Sequence, residues 1–277
     1  FWVDKLKSEA PKNWDLFYKT HANRFFKDRN WTSIEFEEIG KLETDNLEDI
    51  QIDVDSTKNI ETKVILEVGC GVGNFIWPLL VKSSHTKFYC FDFSARAIEI
   101  LKSHPSYQSS RIQAFVFDLT STSPTLYDKL DDPSINFESG TTFSPSIDLI
   151  SCIFVFSALP PEKHQASAQN LIDVLKPGGT ILFRDYAIND AAQLRFHQRP
   201  SSGYTSVPSL LSEDQAFYKR ADGTLSYFFS IDEVRALFCH SLECLECEVN
   251  ERQIVNRKQG IQVPRKFIQA RFRKRVA

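Results

Sequence analysis

The sequence predicts an α/β fold: a mostly parallel, doubly wound, seven-stranded sheet that ends in an antiparallel C-terminal hairpin. Three observations carry this reading. Short apolar runs alternate with stretches of helical spacing, the pattern of successive βα units. The first apolar run ends in a glycine-rich turn, Gly69-Cys70-Gly71-Val72-Gly73. The last two runs have no helix between them, as an antiparallel hairpin requires.

Val64-Ile65-Leu66-Glu67-Val68 is apolar at almost every position and reads as a buried parallel strand. A turn and a helix over 74–81 follow it. Residues 87–92 form the second strand, and Ser94 caps a helix over 95–102, with Glu99 in its early turns. The third and fourth strands are 112–118 and 147–154. Residues 162–175 carry helical spacing at Ala166, Leu171, Ile172 and Leu175. Lys176-Pro177-Gly178-Gly179 stops that helix, and a fifth strand begins at 180–183. A last helix, 231–238, precedes two strands, 243–249 and 266–272, joined by a polar loop. Three stretches read as insertions. Residues 42–61 are acidic and polar, 121–146 are rich in Ser, Thr and Pro and read as a mobile loop, and 197–214 carry Pro, Ser and Gly.

The 277 residues suffice for one large domain, or one domain with a lobe. No run approaches the ~20 apolar residues of a membrane helix, so no membrane association is expected. The net charge of −3 argues against indiscriminate nucleic-acid binding but leaves room for a local basic patch. Arg24, Lys27 and Arg29 cluster near the start, and Arg265, Lys266, Arg271, Arg273, Lys274 and Arg275 near the end. The chain contains no methionine, which reads as a segment of a longer natural chain. Cys70, Cys90 and Cys152 fall in strand or turn segments, which suits reduced thiols and a cytoplasmic protein, with the nucleus as a second location. Cys239, His240, Cys244 and Cys247 suggest zinc at first sight. On a strand, residues three apart point to opposite faces, and the second Cys-x-x-Cys pair is missing, so no metal is expected.

The glycine turn carries the chemistry. Glycines let the backbone turn tightly after the strand and approach a ligand closely. Asp92 ends the next strand, where a carboxylate can accept both hydroxyls of a ribose. The spacing is Gly-x-Gly-x-Gly with Asn74 next, whereas a dinucleotide fingerprint places its third glycine one residue later, to seat a pyrophosphate. S-adenosylmethionine has no phosphate and needs room only for its amino acid and ribose. The spacing and the terminal hairpin therefore favour a Rossmann-like class I methyltransferase, releasing S-adenosylhomocysteine, over a nicotinamide- or flavin-binding protein or a strand turn with no ligand. Position assigns the parts. Glu67 orients the turn or the methionine amino group; Gly69, Cys70, Gly71, Gly73 and Asn74 make the cradle. Asp92 takes the ribose and Phe93, with Ser94 beside it, flanks the adenine. Asp118 and Leu119 meet the adenine edge and face, and Ile153 packs beneath.

Several further stretches carry a resemblance. They are Trp14-x-x-Phe17-Tyr18, Phe25-Phe26-Lys27-Asp28-Arg29-x-Trp31, Asp92-Phe93-Ser94-x-Arg96-Ala97-Ile98 and Ile153-Phe154-Val155-x-Ser157-Ala158. Leu182-Phe183-Arg184-Asp185-Tyr186, Leu194-Arg195-Phe196 and 222–229 complete the set. With them the chain resembles the eukaryotic tRNA 3-methylcytidine methyltransferases, which act at position 32 of the anticodon loop. The resemblance runs from about Trp14 to Phe272. It departs at Ala95, Ala187 and Leu225, the last standing where the family carries an arginine. The end of the chain is more similar to the branch that acts on serine tRNAs, for which seryl-tRNA synthetase is a kind of partner.

The resemblance implies a division into residues 1–40, a cofactor lid and RNA-binding segment, and 41–277, the methyltransferase domain with an RNA-recognition insertion at about 185–230. It implies that Trp14 and Tyr18 close over the cofactor. Cytosine N3 lies on the Watson–Crick edge, so the base must be unpaired or flipped to react. Its lone pair is already nucleophilic, and the enzyme needs alignment more than a strong base. Asp185 is either a carboxylate beside the exocyclic amine, favouring the developing positive charge, or an ion-pair partner of Arg184 or of an arginine of the lobe. Tyr186 or Phe26 can stack the base. Lys27, Arg29, Arg184, Arg195, Arg220 and Arg265 are the candidates for gripping RNA.

Overall fold

The computed structural model describes residues 2–48, 62–137, 142–198, 210–212, 216–256 and 260–276. The strands are β1 (Lys63–Val68), β2 (Thr86–Asp92), β3 (Ile112–Val116), β4 (Ile147–Ile153), β5 (Leu175–Tyr186), β6 (Phe217–Lys219), β7 (Leu225–Tyr227), β8 (Leu242–Asn256) and β9 (Ile261–Lys274). Seven of them form one sheet in the order β3-β2-β1-β4-β5-β9-β8. The first five run parallel, and β9 is antiparallel to both β5 and β8. The strand order reverses beside β1, whose neighbours are β2 and β4. At such a switch point the loops leave in opposite directions and open a crevice at the strands' carboxyl ends. The glycine turn lies there.

The expected αβ alternation is present, with helices Ile76–Lys82, Ala95–Lys102 and His164–Val174 between the parallel strands. Ser94 caps its helix, its hydroxyl accepting from the Ala97 amide at 3.2 Å. Lys176-Pro177-Gly178-Gly179 was expected to lie before the fifth strand and instead sits within β5. Leu175 already pairs with Ile147, and the register then jumps to Thr180 opposite Leu149. The bulge needs Gly179, where a Cβ would fall 2.9 Å from the Ile147 carbonyl.

Two other expectations are corrected. The hairpin was expected as two short strands with a polar loop, yet β8 and β9 stay paired out to Asn256 and Ile261. β5 accompanies them only from Phe267 to Arg273, so the outer half continues as a two-stranded ribbon, tied to the rest by Arg252 on Glu35 and Arg265 on Asp190. Backbone pairing runs along it, with Glu251 beside Lys266 as a cross-strand pair. The stretch 121–146 was expected to be a mobile loop. Its described residues instead carry a helix, Leu126–Leu130, with a Thr125/Asp128 capping box. Leu126 and Leu130 are fully buried, and Asn170 donates to the Leu119 and Ser121 carbonyls, both at 2.9 Å. Among its described residues, Thr125 caps that helix and the Ser121 hydroxyl donates to the Pro124 carbonyl at 2.7 Å. Residues 138–141 lie outside the described residues, as do 49–61 and most of 197–214; a helix, Glu37–Glu48, enters the acidic stretch.

The N-terminal segment lies over the crevice. Helix Ala10–His21 packs on helix Ala95–Lys102, and Asp15 accepts from the Ser94 hydroxyl. Further along, Glu35 pairs with buried Arg184 and with Arg252, the latter at 2.6 Å, while Glu38 takes Arg271 at 2.7 Å. These ion pairs fasten the segment to β5, β8 and β9.

Candidate active site

A cavity of about 370 Å³ opens at the carboxyl ends of β1, β2, β4 and β5 under the N-terminal segment. One end is built by β1 and β2. Gly69 and Gly71 adopt φ of 57° and 52°, the left-handed region. A Cβ on Gly71 would come within 2.6 Å of the Tyr18 hydroxyl, so the lid tyrosine rests directly on the turn. Asp92 is buried and ties the turn to the next helix. Its Oδ2 accepts from the Gly71 amide and its Oδ1 from the Ser94 amide, each at 2.9 Å. Burial pushes its pKa up to about 6, against the pull of those amides.

Glu67 is 1 % exposed, and its Oε2 has no hydrogen-bond partner. Burial raises its pKa to about 8, with the Arg29 guanidinium opposing the rise. The indole Nε1 of Trp14, also on the lining, is likewise buried without a partner. Buried polar atoms normally find partners, so an unpaired acceptor and an unpaired donor on one cavity mark it as built for a polar ligand. Asn74 holds the far rim: its amide donates to Asp28 at 3.1 Å, and its carbonyl accepts from the Arg29 amide at 2.8 Å.

The other end is aromatic and cationic. Tyr186, at the end of β5, lies 5.1 Å from the Phe154 ring, with the guanidiniums of Arg220 and Arg265 at 5.2 and 5.4 Å from its centroid. Phe267 closes the wall. Phe154 holds a φ of 60°, uncommon for a bulky residue and costly enough to require support from its surroundings.

Of the residues predicted to hold a cofactor, Trp14, Tyr18, Glu67, Gly69, Cys70, Gly71, Asn74, Asp92, Phe93, Asp118 and Leu119 line this cavity. Gly73, Ser94 and Ile153 do not. Gly73 faces the Trp77 ring, where a Cβ would lie 2.6 Å away. Ser94 is spent on its cap, and Ile153 is buried in the core beneath the turn. Of the predicted RNA contacts, Phe26, Lys27, Arg29, Arg220 and Arg265 line the cavity. Arg184 does not: it is 4 % exposed, bonds Glu35 and Gln269, and stacks on Trp31 at 4.6 Å. Arg195 stands exposed on helix Ala191–Gln198, its Nε donating to its own turn's Ala191 carbonyl at 3.3 Å.

Asp185 needs a larger correction. It is fully buried and absent from the lining. Its carboxylate accepts from the Ser157 and Tyr186 amides, each at 2.9 Å, and not from Arg184. Burial lifts its pKa to about 6. It neither lines the cavity nor bonds Arg184, while the Arg220 guanidinium of the 185–230 stretch opposes the rise in its pKa; Asp185 acts as a bracket that holds the 3₁₀ turn Phe156–Ala158 against the end of β5. Asp185→Ala leaves the buried Ser157 amide and the half-buried Tyr186 amide without an acceptor, offset in part by removing a carboxylate whose charge burial disfavours, and is expected to lower unfolding stability by about 1 kcal/mol in urea denaturation. An unchanged midpoint would remove the bracket role.

Phe154, Val155, Ser157, Phe267 and Trp31 also line the cavity, and none was assigned a role from the sequence. All six cysteines are free, and among the described residues no cluster of His, Cys, Asp and Glu is arranged to hold a metal.

Comparison with known proteins gives the chain's kinship. A family described as methyltransferase domain matches residues 66–181. The chain is 41 % identical to the tRNA N(3)-cytidine methyltransferase METTL6 of Homo sapiens, over 99 % of this chain and 84 % of that one. It is 38 % identical to the tRNA N(3)-methylcytidine methyltransferase trm141 of Schizosaccharomyces pombe, over 99 % and 96 % of the two chains. Among solved structures, a SAM-dependent methyltransferase from Anabaena variabilis superposes with a TM-score of 0.60 at 16 % identity, covering 96 % of this chain and 95 % of that one. At that identity the likeness speaks for the fold alone. The identities over nearly the whole length of this chain settle its kinship: it belongs to the tRNA N(3)-cytidine methyltransferases, SAM-dependent enzymes of the Rossmann-like class.

Proposed function

We propose that the chain transfers a methyl group from S-adenosylmethionine to N3 of cytidine 32 in the anticodon loop of serine tRNAs. One observation carries the reading. A single cavity joins a carboxylate-lined glycine turn to an aromatic wall flanked by arginines. The cofactor, when bound, supplies a sulfonium methyl group.

The residues fit it. The unpaired Oε2 of Glu67 is an acceptor for the methionine ammonium. Asp92 faces the ribose hydroxyls while its two amide bonds keep it fixed. Asp118 and Leu119 take the adenine. Trp14 and Tyr18, on the helix that covers the turn, exclude water from this end. At the other end Tyr186, Phe154 and Phe267 offer ring faces to a flipped base. The N3 lone pair attacks unaided, so alignment is what the wall contributes. The methylated ring is cationic, and ring faces can meet that charge. Arg220, Arg265, Lys27 and Arg29 surround the mouth, where backbone phosphates of a flipped nucleotide must pass.

Methyl incorporation into a serine tRNA transcript and its cytidine-32-to-uridine variant tests the reading. Label is expected in the first and absent from the second; equal labelling rejects it. Seryl-tRNA synthetase, the partner implied by the resemblance, is expected to raise incorporation in the same assay. No change on its addition removes the partner while leaving the methyl transfer standing.

A further inference from the structure

Three consecutive residues of helix Ala10–His21 reach three different parts of the site. Each residue turns the helix by about 100°, so neighbours point to different surroundings. Trp14 lines the cavity next to the glycine turn. Asp15 accepts from the hydroxyl of Ser94, the cap of the helix that follows Asp92. Asn13 points the other way, and its Nδ2 donates to the Gly223 carbonyl at 2.9 Å.

Gly223 belongs to a closed turn at the substrate end. The Arg220 amide donates to the Thr224 carbonyl at 2.8 Å, and the Gly223 amide donates to the Arg220 carbonyl at 3.0 Å. The Asp222 carboxylate accepts from the Thr224 amide at 3.0 Å. Gly223 has a φ of 84°, and a Cβ there would lie 3.1 Å from the Asn13 side chain. Glycine therefore both permits the turn and lets Asn13 reach its carbonyl. The turn starts with Arg220, whose guanidinium packs on Tyr186 and whose Nη2 donates to Ser226 at 3.2 Å. Leu225, on the turn's far side, lines the cavity.

We propose that Asn13 is a positioning residue that couples cofactor binding to RNA binding. A cofactor held under Trp14 and Tyr18 fixes the helix over the cavity. The fixed helix presents Asn13 to the turn 220–224, and the turn holds Arg220 against Tyr186, where the nucleoside docks. Coupling of this kind is reciprocal, so RNA tightens cofactor binding by the same factor. The inference rests on the RNA methyltransferase reading above and adds a regulatory link to it.

The test measures both affinities with and without the other ligand. S-adenosylhomocysteine is titrated by calorimetry, and a fluorescein-labelled anticodon stem–loop by anisotropy. In the wild-type chain S-adenosylhomocysteine is expected to tighten RNA binding about three- to tenfold, the range of one neutral hydrogen bond. In Asn13→Ala that ratio is expected to fall to about one, while each ligand alone binds within roughly twofold of wild type. Asn13→Asp keeps the shape but has no N–H to donate, and it is expected to lose the ratio as well. A wild-type ratio in either variant overturns the proposal, because the hydrogen bond then transmits nothing. A wild-type chain that binds the stem–loop with no dependence on S-adenosylhomocysteine overturns it too, leaving the RNA reading intact. A wild-type chain that binds S-adenosylhomocysteine but no RNA overturns both.

Discussion

Asp92→Ala is expected to lower affinity for S-adenosylmethionine by about 100-fold or more in a chain that still folds. Two hydrogen bonds from ribose hydroxyls to a carboxylate are worth about 1.5 kcal/mol each at the low end, and together they make that factor. The same change frees the Gly71 and Ser94 amides, both now tied to Asp92. It also deletes a carboxylate whose pKa stands at about 6 because burial disfavours its charge. Those effects oppose each other in the free protein, so the melting temperature should move far less than the affinity. Calorimetry gives the affinity and circular dichroism the fold. Near-normal affinity in a folded variant would end the ribose assignment.

Asp92 was legible because a strand end is a local feature. An apolar run that stops at an acid, one βα unit after a glycine turn, needs no knowledge of distant segments. The aromatic wall was not legible in that way. Phe154 reaches the cavity through a left-handed backbone turn, and Phe267 and Trp31 arrive from opposite ends of the chain. The Phe-Arg-Asp-Tyr stretch shows what strand geometry could have added. Side chains on β5 alternate between faces. Arg184 and Tyr186 share the face that meets Phe267, while Phe183 and Asp185 share the face that meets the 3₁₀ turn. Asp185 and Tyr186 therefore could not both point at a substrate. The long ribbon of β8 and β9 was hidden for another reason. Beyond Phe267 its pairing is between β8 and β9 alone, and charge pairs such as Glu251 with Lys266 are visible only once the register is known.

Glu67→Gln is expected to stabilise the free protein at pH 8 while weakening its hold on the cofactor. Glu67 has a folded pKa of about 8 against an ordinary 4.5. Below the ordinary value the carboxyl is neutral in both states and costs nothing. Between the two values only the unfolded chain is ionised, so stability falls as pH rises, by up to about 1.4 kcal/mol per pH unit from this group. Glutamine has no proton to lose. The variant should therefore melt near the parent at pH 5 and clearly above it at pH 8. Cofactor binding runs the other way. The ligand's ammonium favours the ionised carboxylate, so binding expels a proton, and affinity should rise between pH 6.5 and 7.5. Asp92 is largely ionised by then, and the ligand's own amine still holds its proton, since amines of that kind titrate near 8. In Glu67→Gln the slope should disappear and the affinity at pH 7.5 should drop about tenfold, the loss of one charge-assisted bond. Calorimetry with S-adenosylhomocysteine in two buffers of different ionisation enthalpy counts the proton directly. A parent that binds without releasing one, or a variant that keeps the slope, would show that the orphan oxygen of Glu67 does not receive the amine.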